Sequence, residues 1–272
     1  VEAAEGVEAT ETGDETDGEP AVARIGAADP DVIRRARRAG YAAGAREVTV
    51  DPGEPLTPEQ RRVVERTARE RIGMSVAAES ETATTVQIML DSGEVSVSQS
   101  LRQLAFTVRS IHGDAVEALA TAPDASPIGS RDGQVDRLAA MIDRSVSRGM
   151  ADLREVDALG TTRPALLESW TAMRELCRFR EAAADIGCAA ASLDGPPAES
   201  RLETCRGVGR TVRELVADGV SVALGDADAD VARAALDDLR RVRDELDAFD
   251  RRLDRAGADA AELRRVSRAL RR

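Results

Sequence analysis

The chain has 272 residues and a formal net charge of -12, and all 38 of its basic residues are arginine. Aromatic residues make up only 2% of the chain, so a core must come from alanine, valine and leucine, which favour closely packed helices over a β-sandwich. The acidic balance argues against a nucleic-acid-binding protein. Acid excess with arginine in place of lysine is typical of a proteome adapted to high salt or of a GC-rich genome.

The chain shows neither an apolar run long enough for a membrane span nor a signal segment, so we expect a cytoplasmic protein with no membrane insertion. Its first residue is Val1 rather than methionine, which suggests a fragment. Three cysteines in such a protein predict no disulfide framework. They are Cys177, Cys188 and Cys205.

The N-terminal third predicts a small α/β module behind an acidic leader. Residues 1–20 contain eight acids and no base, so we expect a disordered leader. Residues 21–93 then follow the order β-α-β-α-β-β. A cap at Asp29-Pro30 opens the first helix and Gly44 ends it, while a capping box at Thr57 opens the second, which runs to Gly73. The strands are expected at 21–25, 47–50, 74–79 and 83–90.

After residue 93 the sequence predicts helices only. The segment Val108–Val116 resembles Val212–Val220, which indicates an internal repeat. Long helices joined by short loops pack antiparallel, so we expect two three-helix bundles, at 94–195 and 196–272, the second incomplete. The helices are predicted at 96–121, 131–158, 163–193, 198–224, 228–256 and from about 257 to Arg272.

Two carboxylate pairs are candidate metal ligands: Asp132 with Asp136, and Glu181 with Asp185. A spacing of four places both acids of a pair on one helical face, where like charges repel unless a cation offsets them. Hard cations prefer such oxygen ligands. The alternative is a solvated face, because 50 acids produce many such pairs by chance. The alanine-rich segment 179–192 around the second pair favours close approach of another helix.

Other candidate residues point away from catalysis. Cys177 and Cys188 share the face of the second acid pair, but small buried cysteines are commoner than soft ligands. His112, the single histidine, cannot supply paired Glu-x-x-His motifs and is predicted to be a polar surface residue. The chain has no phosphate-binding glycine loop and no C-x-x-C pattern, so we expect no enzyme. The arginine clusters at 34–38 and 264–272 are predicted to be solvated or ion-paired.

Several segments in this order resemble archaeal phosphate-uptake regulators of the PhoU family. They are YAAGAREVTV (41–50), the segment 70–104, SIHGDAVEAL (110–119), SRDGQVDRL (130–138) and FREAAADIGCAA (179–190). The resemblance implies a mainly α protein with two PhoU-type bundles, the second truncated. It also implies that Asp132, Asp136, Glu181 and Asp185 bind iron or zinc, as in some members.

The same resemblance implies a negative regulator of phosphate uptake and phosphate homeostasis, acting as a homo-oligomer. Its partners would be the phosphate ABC transporter ATPase, a sensor kinase or a transcriptional regulator. Archaeal members often carry an AbrB-like DNA-binding domain, so the alternative is a transcription regulator whose DNA-binding part lies before Val1.

The chain departs from the family pattern at Ile186 and Ala189, where His and Asn are usual. In the second repeat Asp247 matches Asp136, but Arg243 takes the place of Asp132. These departures indicate a reduced first metal site and a degenerate second one, or a scaffold that keeps the fold without metal.

Overall fold

The computed structural model describes residues 7–9, 22–90, 92–121, 129–253 and 260–272. The protein is mainly α-helical with a small α/β module at the N-terminal end, as the sequence predicts. It divides into two compact units. The sheet unit comprises Val1–Val97 with Ala140–Leu166, and the helical unit comprises Ser98–Ala139 with Leu167–Arg272. Within the described ranges, no helix combines the length and apolar character of a membrane span.

The sheet unit is built on a five-stranded sheet in the order β1-β2-β3-β5-β4. β2 and β3 run parallel, and the other neighbouring pairs run antiparallel. Two helices connect its strands and cover its apolar side chains. The elements are β1 Val7–Ala9, β2 Val22–Ile25, α1 Pro30–Ala42, β3 Glu47–Val50, α2 Pro58–Arg69, β4 Met74–Glu79 and β5 Thr84–Ile88.

The structure corrects one part of the predicted disordered leader, where it forms the strand β1. Val7–Ala9 pair with β2 in the register Val7 to Ile25, so the prediction of disorder is wrong for these three residues. Strand pairing satisfies their backbone groups, which a composition argument does not consider. The rest of the predicted leader, at 1–6 and 10–20, lies outside the described residues.

Local signals set the ends of both helices in the sheet unit. Asp29 Oδ1 accepts hydrogen bonds from the backbone N–H groups of Asp31 and Val32, which caps α1. The capping box between Thr57 and Gln60 is confirmed at the start of α2, with both reciprocal hydrogen bonds present. α2 ends at Arg69, short of the predicted end at Gly73, which adopts a φ of +73° in the turn before β4.

The remaining helices follow the predicted order. A 3-10 turn at Ser92–Glu94 precedes them. They are α3 Val97–Glu117, α4 Gly129–Ala151, α5 Leu153–Ala158, α6 Arg163–Ala191, α7 Glu199–Ala223, α8 Ala229–Leu253 and α9 Ala260–Leu270. The single helix predicted at 131–158 is wrong, because Asp152 adopts extended backbone angles and caps a separate α5. The predicted bundle boundary at 195/196 falls inside the helical unit.

Small side chains allow the helices of the helical unit to pack closely. On α6, four alanines of the predicted small-residue segment are almost fully buried (Ala182, Ala183, Ala189 and Ala190). On α7, a Cβ added at Gly209 would lie 3.1 Å from Val116 on α3. A protein with few aromatic residues therefore builds this core by close helix contact rather than with large rings.

Candidate functional site

The structure brings the first predicted acid pair against α6. Asp132 and Asp136 lie on one face of α4, as their spacing predicts, and Arg180 of α6 lies between them. Arg180 Nη1 is 3.4 Å from Asp132 Oδ1 and 3.7 Å from Asp136 Oδ1. The cation that offsets the repulsion between these two carboxylates is therefore a guanidinium of the chain itself.

Glu181 lies in the same neighbourhood as that pair. Burial raises the pKa of the Cys177 thiol, the charge of Arg180 opposes this shift, and the charges of Asp136 and Glu181 add to it. Such electrostatic influence requires that these groups lie near one another. Glu181 is exposed, although Ala182 and Ala183, the next two residues on α6, are buried. Three of the four predicted ligands thus border the α4–α6 contact.

Asp185, the fourth predicted ligand, has a different partner. Arg272 Nη1 lies 2.7 Å from Asp185 Oδ2, and both side chains are more than half exposed. Cys188 shares an arginine-rich surface depression of about 320 Å³ with this ion pair. Cys205 is buried instead, which raises the pKa of its thiol to about 12 and keeps it protonated at neutral pH.

Three of the four predicted metal ligands are paired with arginines in this structure. Two carboxylates share one guanidinium and a third pairs with another, so their oxygens already have cationic partners. Among the described residues, no three His, Cys, Asp or Glu side chains form a group that could hold a metal. Iron or zinc binding at Asp132, Asp136, Glu181 and Asp185 stays a prediction.

We expect the purified chain to retain well below one equivalent of iron or zinc after dialysis, because Arg180 and Arg272 already form ion pairs with three of the four carboxylates. Elemental analysis of the wild type beside a Glu181→Ala/Asp185→Ala variant measures this. Circular dichroism of the variant should be unchanged, since both side chains are exposed. Stoichiometric metal in the wild type that disappears in the variant would instead establish these residues as ligands.

The sequence prediction that His112 is a polar surface residue is wrong. Its side chain is fully buried in α3 and stacks on Phe179 of α6, with ring centroids 4.5 Å apart and an interplanar angle of 15°. Arg213 Nη1 lies 3.4 Å from His112 Nδ1. Burial lowers the pKa of His112 from 6.5 to about 3, and the charge of Arg213 adds to the shift. His112 is therefore a neutral core residue.

An apolar groove of about 690 Å³ lies on the helical unit. Helices α6, α7, α8 and α9 form its walls. Among its lining residues are Leu167, Leu176, Val212, Leu215, Val216 and Leu239. Charged side chains border it, with Glu168 and Glu175 on α6, and Arg243, Arg271 and Arg272 on the α8–α9 side. The groove thus combines an apolar floor with a rim that carries both signs of charge.

The sequence prediction missed this groove, although α7 carries a signal for it. Val212, Leu215, Val216, Gly219 and Ala223 recur at helical spacing, yet each is only half-buried or exposed. The spacing predicts a buried stripe, whereas the structure leaves this part of the stripe without a covering helix. Only the arrangement of the four helices distinguishes the two cases.

Comparisons were made with protein-family models, with curated proteins and with solved structures. None of the three found a match for the chain.

Proposed function

We propose that this protein is a PhoU-like negative regulator of phosphate uptake that acts by binding a partner protein and has no catalytic activity of its own. The segments from residue 41 to residue 190 that resemble the PhoU family support the link to phosphate. The partner we propose is the ATPase of a phosphate ABC transporter or a sensor kinase of phosphate signalling.

The apolar groove of the helical unit is the observation that carries this proposal. Partner helices bind in such grooves through apolar residues at i, i+3, i+4 and i+7. The groove is long enough to be lined by residues from Leu167 to Phe179 on α6, about three turns of helix. Its rim offers glutamates on one side and arginines on the other, which would orient an amphipathic helix of opposite charge pattern.

Leu167 provides a sharp test, because it lines the groove and its side chain is 53% exposed. Leu167→Glu should place a charge in the groove at little cost to folding. In cells of the source organism that lack the gene, phosphate uptake in phosphate-rich medium should rise. The wild-type gene should restore the low uptake, and the Leu167→Glu gene should not.

Leu236→Glu is the matched control. Leu236 is 57% exposed on α8, in the same unit, and is not part of the groove lining. This variant should restore low uptake as fully as the wild type. Equal restoration by Leu167→Glu would reject the groove as the partner surface. Unchanged uptake in cells without the gene would reject the regulatory function itself.

A further inference from the structure

The sheet unit contains a polar cavity of about 500 Å³ that the sequence patterns do not predict. Its polar lining comes from four separate parts of the chain: the residue before β3, the 3-10 turn, α4 and α5. The side chains concerned are Arg46, Ser92, Arg148 and Glu155, and Met89 and Leu90 provide an apolar wall.

Glu155 connects the polar side chains that line this cavity. It accepts hydrogen bonds from Ser92 Oγ and from Arg148 Nη2, and Arg46 Nη2 lies 4.0 Å from its Oε1. The side chains of Arg148 and Glu155 are each only 14% exposed. Two of these lining groups are therefore held in place rather than free in solvent.

Gly44 makes the position of Arg148 possible. Its φ is +92°, which L side chains rarely adopt, and a Cβ added there would lie 2.6 Å from Arg148 Cγ. The absence of a side chain at residue 44 lets the stem of Arg148 pack on the backbone after α1. The same glycine that ends α1 thus shapes the wall of the cavity.

A further arginine, Arg144, lies behind this lining. It precedes Arg148 by one helical turn on α4 and is almost fully buried. Its Nη1 donates to the carbonyl oxygens of Tyr41 and Ala45, at 3.0 and 2.8 Å. Its Nε and Nη2 have no hydrogen-bond partner among the described residues. Burial lowers the pKa of Arg144 to about 10, and the charges of Arg148 and Arg46 contribute to this shift.

The charges around the cavity do not balance. Arg46, Arg144 and Arg148 bring three positive charges, whereas Glu155 and Glu94 bring two negative charges. One positive charge is left over, and Arg144 and Arg148 are largely buried. Uncompensated charge in a partly buried place is unfavourable, and an anion offsets it. Guanidinium groups match the oxygens of oxyanions, and a phosphate group carries close to two negative charges at neutral pH.

We propose that this cavity binds a phosphate group, with Arg46 and Arg148 as its direct ligands and Arg144 as a buried charge behind them. The group is either free inorganic phosphate or part of a small organic phosphate. The cavity has room for the second, whose apolar part would lie on Met89 and Leu90. The inference rests on this cavity alone, and the proposed regulation of phosphate uptake can fail without affecting it.

Isothermal titration of the full chain at constant ionic strength tests the proposal, with inorganic phosphate and adenosine monophosphate as probes. Arg46→Gln is the informative variant, because the Arg46 side chain is 53% exposed and lies as far as 4.0 Å from Glu155, its ion-pair partner. The affinity of Arg46→Gln for the phosphate probe should be about tenfold lower than that of the wild type, which corresponds to the loss of one charge-assisted hydrogen bond. Arg69→Gln is the control, since Arg69 lies on α2 with 77% of its side chain exposed and outside the cavity lining.

Saturable binding that Arg46→Gln weakens and Arg69→Gln leaves unchanged would support the proposal. Tighter binding of adenosine monophosphate would then identify an organic phosphate as the ligand, and tighter binding of inorganic phosphate would identify the free ion. The absence of saturable binding for both probes would overturn the proposal. Binding that is equal in the wild type and in Arg46→Gln would overturn it as well.

Discussion

Lowering the pH from 7 to 4 is expected to cost the helical unit about 3 kcal/mol of stability through His112 alone. The folded protein holds this imidazole between Phe179 and Arg213, and its pKa there is about 3 instead of 6.5. The unfolded chain binds a proton at His112 below pH 6.5, whereas the folded chain does so only near pH 3. The stability is therefore present above pH 6.5 and is lost progressively as the pH falls.

Replacement of His112 by phenylalanine isolates this contribution. The new ring can still stack on Phe179 but cannot titrate. Urea denaturation of the wild type and of His112→Phe at pH 7, 6, 5 and 4 gives the free energy of unfolding for each. Carboxylates also titrate near pH 4, but they do so in both proteins and cancel in the difference. Between pH 7 and 4 the wild type should lose about 3 kcal/mol more than the variant.

Equal pH dependence of the two proteins would contradict the buried, neutral state of His112. The outcome also matters for the functional interpretation of this residue. Phe179, its stacking partner, contributes to the wall of the apolar groove. A protonated His112 would weaken the packing beneath that wall, so the variant should also keep the groove intact at lower pH than the wild type.

Removal of the Glu155 carboxylate should lower the free energy of unfolding by about 2–3 kcal/mol. This lies toward the lower end of the range for breaking a buried ion pair. Glu155→Ala removes the acceptor for Ser92 and Arg148 and leaves the charges of Arg148 and Arg144 without a carboxylate. Glu155→Gln should cost less, because an amide oxygen still accepts a hydrogen bond from Ser92. Urea denaturation at neutral pH measures both differences.

Glu94→Ala is the control for this result. Glu94 lines the same cavity, but it is exposed, so its removal should change stability by less than about 0.5 kcal/mol. Equal effects of Glu155→Ala and Glu94→Ala would mean that the Glu155 contacts contribute nothing beyond a surface charge. Phosphate added to Glu155→Ala should recover part of the lost stability if the cavity binds it, since a ligand that binds only the folded state stabilises it.

The acid pairs show what residue spacing can and cannot predict. The spacing of four correctly places Asp132 and Asp136 on one face of α4, because helical geometry fixes it. It cannot reveal that Arg180 lies between them, since Arg180 belongs to another helix and its position depends on how α6 packs on α4. The same limit applies to Arg144, whose neighbours Tyr41 and Ala45 are about a hundred residues away.

The sequence by itself predicted the fold class and most elements of this protein, but not β1 or the break between α4 and α5. Helix ends depend on side chains within a few residues of one another, such as the Asp29 cap, the Thr57 capping box and Gly44. Such local patterns can be recognised in the sequence alone. Only the tertiary structure decided which polar groups are buried, which charges are paired and which apolar stripe stays uncovered. Burial of His112, pairing of Arg180 and exposure of the groove all depend on contacts between distant segments, and the periodicity of one segment carries no information about its partner.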